Sequence, residues 1–121
     1  MEKEINIGKL SSVKIWITNA HKSKDNWSKT KKFIFIKITT TDGVEGWGEA
    51  FSIQLREKAI ATIIIELFKE ISEIKNLSLN SFYNKIFFLR DGHGGLDFSS
   101  ATSAIEIALW DIAGKLKNLP L

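Results

Sequence analysis

The sequence predicts an α+β fold, a three-stranded antiparallel β-meander followed by a three-helix bundle. Three observations carry this. Two β-rich segments are joined to a third by Asp42-Gly43, a dipeptide that favours a tight hairpin turn because glycine accepts the positive φ such a turn demands. From Gln54 onward the apolar period changes from two to 3.6. The longest uninterrupted helical pattern, Ala101 to Lys115, comes last.

The elements follow in order. In SVKIWIT, residues 12–18, Val13, Ile15 and Ile17 alternate with polar or outward positions, as in a half-buried strand. FIFIKITTT, residues 33–41, is apolar and β-branched, and its beginning can be buried on both faces. VEGWGEA, residues 44–50, is the third strand. Its Gly46 and Gly48 flank Trp47 and mark either a bulge or a close backbone approach. Helices are expected over 54–75, 80–90 and 100–117. The first has one wide stripe of Ile60, Ile63, Ile64, Leu67, Phe68, Ile71 and Ile74. Ser78 or Asn80 can cap the second, in which Phe82, Ile86 and Leu89 share a face. RDGHGGLD ends it. The third has Ser99 or Ser100 as candidate cap and Pro120 as terminator. Ile105, Leu109, Ile112 and Leu116 form one face, and Ala101, Ala104 and Ala108 form a second, narrow one where another element can pack closely. Helices on one side of a small antiparallel sheet is the arrangement this order favours.

At 121 residues the chain is one domain, too short for a barrel enzyme. With 44% apolar and 26% charged residues it should fold. It has no cysteine, which excludes disulfides and thiolate metal sites and fits a reducing cytoplasm. No secretory leader and no membrane span are read. The net charge of +3 is concentrated in HKSKDNWSKTKK, residues 21–32, with five lysines against one aspartate. Without an arginine cluster or aromatic platform this is not read as a nucleic-acid surface. A solvated loop and a basic flap over an anionic small molecule both fit.

Two motifs resemble one family. TDGVEGWGEAF, residues 41–51, is similar to the "DG…GWGE" hairpin of the mandelate racemase and muconate-lactonizing branch of the enolase superfamily. SATSAIEIALWDIAGKLKNLPL, residues 100–121, resembles that branch's "ALWDikGK" helix. Their order and spacing match the branch's N-terminal capping domain over nearly the whole chain. The glycine-rich segment before the last helix looks most like the acid-sugar dehydratases and sugar-lactone cycloisomerases.

The resemblance implies a two-domain enzyme whose barrel holds Mg²⁺ and the acid–base groups. There a base removes the proton α to a carboxylate, and the metal stabilises the enediolate. Dehydration, cycloisomerisation or epimerisation of a sugar acid would follow. The capping domain closes over the barrel and selects the substrate. In this sequence no barrel strand is present, so the chain by itself is expected to be inactive and to bind no metal. The partners implied are a small carboxylate, the C-terminal barrel and further copies of the chain. The alternative is a stand-alone, non-catalytic binding or self-association module with the same fold.

Carried over to this sequence, the loop from Asn19 to Lys32 corresponds to the family's mobile flap. Asn19, His21, Lys22, Lys24 and Trp27 are its candidates to meet substrate, the lysines suiting a carboxylate or polyol. Glu49, Phe51 and Ser52 begin the second specificity loop. Glu49 can instead be structural, and Phe51 can pack under the first helix. His93 in DGHGG is either a substrate or barrel contact or a capping residue. Glu106 and Asp111 do not form an acid–base pair, because five residues turn them about 140° apart on a helix. Asp111 is placed to pair with Lys115 at i, i+4, and the Trp110 N–H should seek an acceptor.

Overall fold

The computed structural model describes residues 5–19, 32–52, 54–92 and 94–118, with the backbone alone described at Asn19. The elements are β1 (Asn6–Gly8), β2 (Leu10–Asn19), β3 (Lys32–Thr40), β4 (Glu45–Ala50), α1 (Glu57–Ser72), β5 (Leu77–Ser78), α2 (Leu79–Arg90) and α3 (Gly95–Leu116). Strands β2, β3 and β4 form an antiparallel meander in that order. The described residues form no closed barrel. Strand alternation does what the sequence requires. Ile34, Ile36 and Ile38 of β3 are fully buried on the inner face, and Gly46, Gly48 and Ala50 of β4 are buried beside them. Phe33, Phe35 and Lys37 look outward with Trp47 and Glu49.

All three helices lie on the inner side. Helix α1 contributes Ile60, Ile64, Leu67, Phe68 and Ile71 to the core, and α3 contributes Ile105, Leu109 and Ile112. Helix α2 starts at Ser78, whose hydroxyl accepts from the Ser81 N–H while the Ser81 hydroxyl accepts from the Ser78 N–H. That reciprocal box confirms one of the two caps read from the sequence. The helix ends at Asp91, in the left-handed conformation that Asp tolerates better than most residues.

The small residues of α3 explain those of β4. A Cβ on Gly48 would sit 2.1 Å from the Ala104 carbonyl oxygen, and one on Gly46 would sit 2.1 Å from that of Ala108. The β3–β4 register is unbroken from Ile34 opposite Ala50 to Thr39 opposite Glu45, so the two glycines mark a close approach and not a bulge. The alanine stripe of α3 and the glycines of β4 are two halves of one contact.

Several expectations are corrected. Ser99 and Ser100 lie inside α3, which begins at Gly95, so neither caps it. The Ser100 hydroxyl instead donates to the Phe51 carbonyl at 2.5 Å. Leu116 continues the apolar spacing, yet it is 42% exposed. The chain also holds a second, two-stranded sheet, β1 paired antiparallel with β5. Elements of three and two residues are too short to show a period. Pro120, the expected terminator, lies outside the described residues.

Candidate functional site

The register of the meander brings two distant segments to one end of the sheet. Asn19 pairs with Lys32, Thr18 with Phe33 and Ile17 with Ile34, so the β2–β3 connection leaves and returns there. Ala50 pairs with Ile34 from the other side. Phe51 and Ser52 therefore leave β4 beside the points where residues 20–31 depart and rejoin.

The loop after β4 is braced from beneath. Ser100 holds the Phe51 carbonyl, and the Gly48–Ala104 approach fixes the strand on α3 just before it. Arg56 reaches Asp97 at 3.5 Å, tying the start of α1 to the first turn of α3. The side chains above this brace are less committed. Phe51 is 64% exposed, so it does not pack under the first helix. The Ser52 hydroxyl oxygen is buried and has no hydrogen-bond partner among the described residues. A buried polar atom without a partner costs stability and calls for a reason. Glu49 is exposed on the outer face, with no side-chain hydrogen bond among the described residues, so the structural role weighed for it is not seen.

Of the sequence candidates, the fold thus puts Glu49, Phe51 and Ser52 toward the end of the sheet that Asn19 also occupies, with β3 between them and Asn19. His21, Lys22, Lys24, Trp27 and His93 lie outside the described residues.

The acids of α3 are structural in their surroundings. Asp111 pairs with Lys115 at 3.1 Å, as the spacing suggests. It also accepts the Trp47 N–H at 2.9 Å, while Lys115 donates to the Glu45 carbonyl at 2.7 Å. That lock onto the β4 edge could not be read from sequence, since its halves are more than sixty residues apart. Glu106 faces the Tyr83 hydroxyl. Among the described residues no three of His, Asp and Glu converge as a metal site would need. No helix in the described residues is long and apolar enough to cross a membrane.

Comparison with known proteins places this geometry. Residues 16–121 match the model of the mandelate racemase / muconate lactonizing enzyme N-terminal domain. The chain belongs to that family. It is 75% identical to an enolase from environmental shotgun sequencing of the Sargasso Sea, whose solved structure superposes with a TM-score of 0.88 over 94% of this chain and 30% of that one. The structure of the 3,6-anhydro-D-galactonate cycloisomerase of Zobellia galactanivorans is 26% identical, with a TM-score of 0.71 over 90% of this chain and 29% of that one. The D-galactonate dehydratase of Klebsiella pneumoniae (strain 342) is 30% identical over 95 residues, which are 78% of this chain and 25% of that protein. This family chain thus spans about a quarter of the length of the curated relatives it matches.

Proposed function

We propose that this chain acts as the substrate-specificity cap of a Mg²⁺-dependent enzyme that removes the proton α to the carboxylate of a sugar acid. The reading rests chiefly on one observation: the β2–β3 connection and the loop after β4 depart from the same end of the sheet, with an exposed Phe51 and a Ser52 hydroxyl that is buried and unpartnered among the described residues. A polyol acid needs both kinds of contact, an apolar wall and a hydroxyl that can give or take a hydrogen bond. The dehydratase and cycloisomerase activities named for the relatives both act on galactonate-type acids, which supports the substrate class.

Metal and acid–base chemistry would come from a further domain. What these residues supply is position and exclusion of water. The loop after β4 is anchored to α3 through Ser100, so the tip carrying Phe51 and Ser52 can meet a substrate without first being ordered. The exposed Phe87, Phe88 and Leu96, at the end of α2 and the start of α3, are apolar surface of the kind that a second domain covers.

A chimera tests the reading. This chain replaces the matching segment of the Sargasso Sea enolase, whose remaining length supplies the rest of the enzyme. The chimera is expected to turn over a sugar acid, and the isolated chain to give no α-proton exchange. Ser52→Ala and Phe51→Ala are each expected to lower kcat/KM for the preferred acid by about tenfold, the scale of one lost polar contact or small apolar wall, and to change the ranking of acids. Unchanged ranking in both variants, or exchange catalysed by the isolated chain, would overturn it.

A further inference from the structure

The sheet has two edge strands, β4 and β2, and the fold treats them differently. The outer edge of β4 is covered: Trp47 N–H donates to Asp111 and the Glu45 carbonyl accepts from Lys115. This also fixes the phase of the ladder. Along an antiparallel strand, successive residues turn their backbone groups toward one neighbour and then the other. Since the Trp47 N–H turns outward, its partner Lys37 directs its own groups at β2. Lys14 opposite Lys37 answers, as do Ser12, Trp16 and Thr18. The N–H and C=O groups of Val13, Ile15 and Ile17 therefore point out of the outer edge of β2, and among the described residues nothing takes them up.

An unpaired edge of this length is a template for another strand, and its side chains say which one. Two copies of β2, run antiparallel about a two-fold axis at Ile15, place Val13 against Ile17, Ser12 against Thr18 and Lys14 against Trp16. Every outward backbone group meets another, and each side chain stays on the face it already occupies. Lys14 has no ion pair among the described residues. Trp16 carries Trp47 on one ring face, centroids 5.4 Å apart, which leaves its other face on the side of the free edge. A lysine over a tryptophan ring is favourable, and this surface already holds one, Lys37 at 5.7 Å from the Trp47 centroid. Other registers do worse. A shift that breaks this parity sets outward groups against inward ones. Centring on Lys14 opposes two lysines, and centring on Trp16 drops Ser11 and Ser12 from the ladder.

We infer that β2 pairs with β2 of a second copy of this chain about a two-fold axis at Ile15, joining two meanders into one continuous antiparallel sheet. The interface is isologous and self-limiting, since it consumes the free edge of both copies.

The chain has no cysteine, so introduced thiols report the register cleanly. Lys14→Cys and Trp16→Cys chains are mixed and oxidised. Directly opposed residues of a non-hydrogen-bonded pair suit a disulfide, so the mixture is expected to give about tenfold more cross-linked dimer than Lys14→Cys chain treated alone. Sedimentation of the native chain is expected to show twice the monomer mass, falling on dilution. Ile15→Pro, which removes only an outward N–H that the chain's own ladder does not use, is expected to be monomeric with an unchanged far-UV spectrum. A native chain that stays monomeric at every concentration reached would overturn the inference. So would Lys14→Cys cross-linking by itself as efficiently as the mixture. Should Ile15→Pro fail to fold, the thiol pair still decides.

Discussion

Trp110 shows how a single polar atom constrains its neighbours. Its Nε1–H is expected from sequence to seek an acceptor, and it finds the Tyr83 hydroxyl at 3.0 Å. Sequence could not name Tyr83, because the partner sits on another helix. The tyrosine titrates accordingly. Burial pushes its hydroxyl above the ordinary value of 10.0, and the Glu106 carboxylate adds to the rise, while donation from Trp110 opposes it. Because the folded form holds this proton more tightly than the unfolded form, its contribution is complete below pH 10 and is lost as pH rises through the higher folded value. Tyr83→Phe is therefore expected to flatten the alkaline fall in stability, read as urea midpoints across pH 9 to 12, while leaving its shape near neutrality unchanged. An equally steep fall in the variant would show that another group drives it. At the acid end, Lys37 holds the Glu45 carboxyl below its usual range through their 2.9 Å contact. That contribution is present above pH 4.5 and fades as pH falls through the lower folded value.

Between elements, the decisive contact is β4 on α3. Gly48 lies so close to the Ala104 carbonyl that no side chain fits, and the obstacle is backbone, which cannot swing aside. Gly48→Ala is expected to cost about 3 kcal/mol, the upper range for overpacking a tight interior, measured by urea denaturation. A loss under about 0.5 kcal/mol, no more than an ordinary surface change, would mean the two elements are not in contact as described. Both halves of this contact were visible in the sequence as small residues at strand and helix spacing. Their pairing was not, since spacing alone left bulge and close approach equally open. The start of α3 lies upstream of the caps the sequence suggests, for a related reason. Ser99 and Ser100 are good caps locally, but the helix already begins at Gly95, and the Ser100 hydroxyl donates instead to the distant Phe51 carbonyl.

As a whole, the molecule is a family domain that the curated relatives carry as about a quarter of their length. The absence of converging metal ligands among its described residues has a measurable consequence. Neither excess Mg²⁺ nor EDTA is expected to move the thermal midpoint of this chain, because a ligand raises the midpoint only by binding the folded form. A rise of several degrees on adding Mg²⁺ would reveal a metal site in the chain.

The sequence by itself determined the class of fold, the identity of the family and the faces of most elements. Those properties are written in short-range periodicity and in motifs such as GWGE and ALWDIAGK, where neighbours in the chain are neighbours in space. Only the tertiary structure decided which small residues interlock, that Asp111 and Lys115 seal the β4 edge, and that among the described residues Ser52 is left without a partner and the outer edge of β2 is left open. Each of these depends on groups far apart in sequence, and their distances are set by the register of the sheet and the way α3 packs against it.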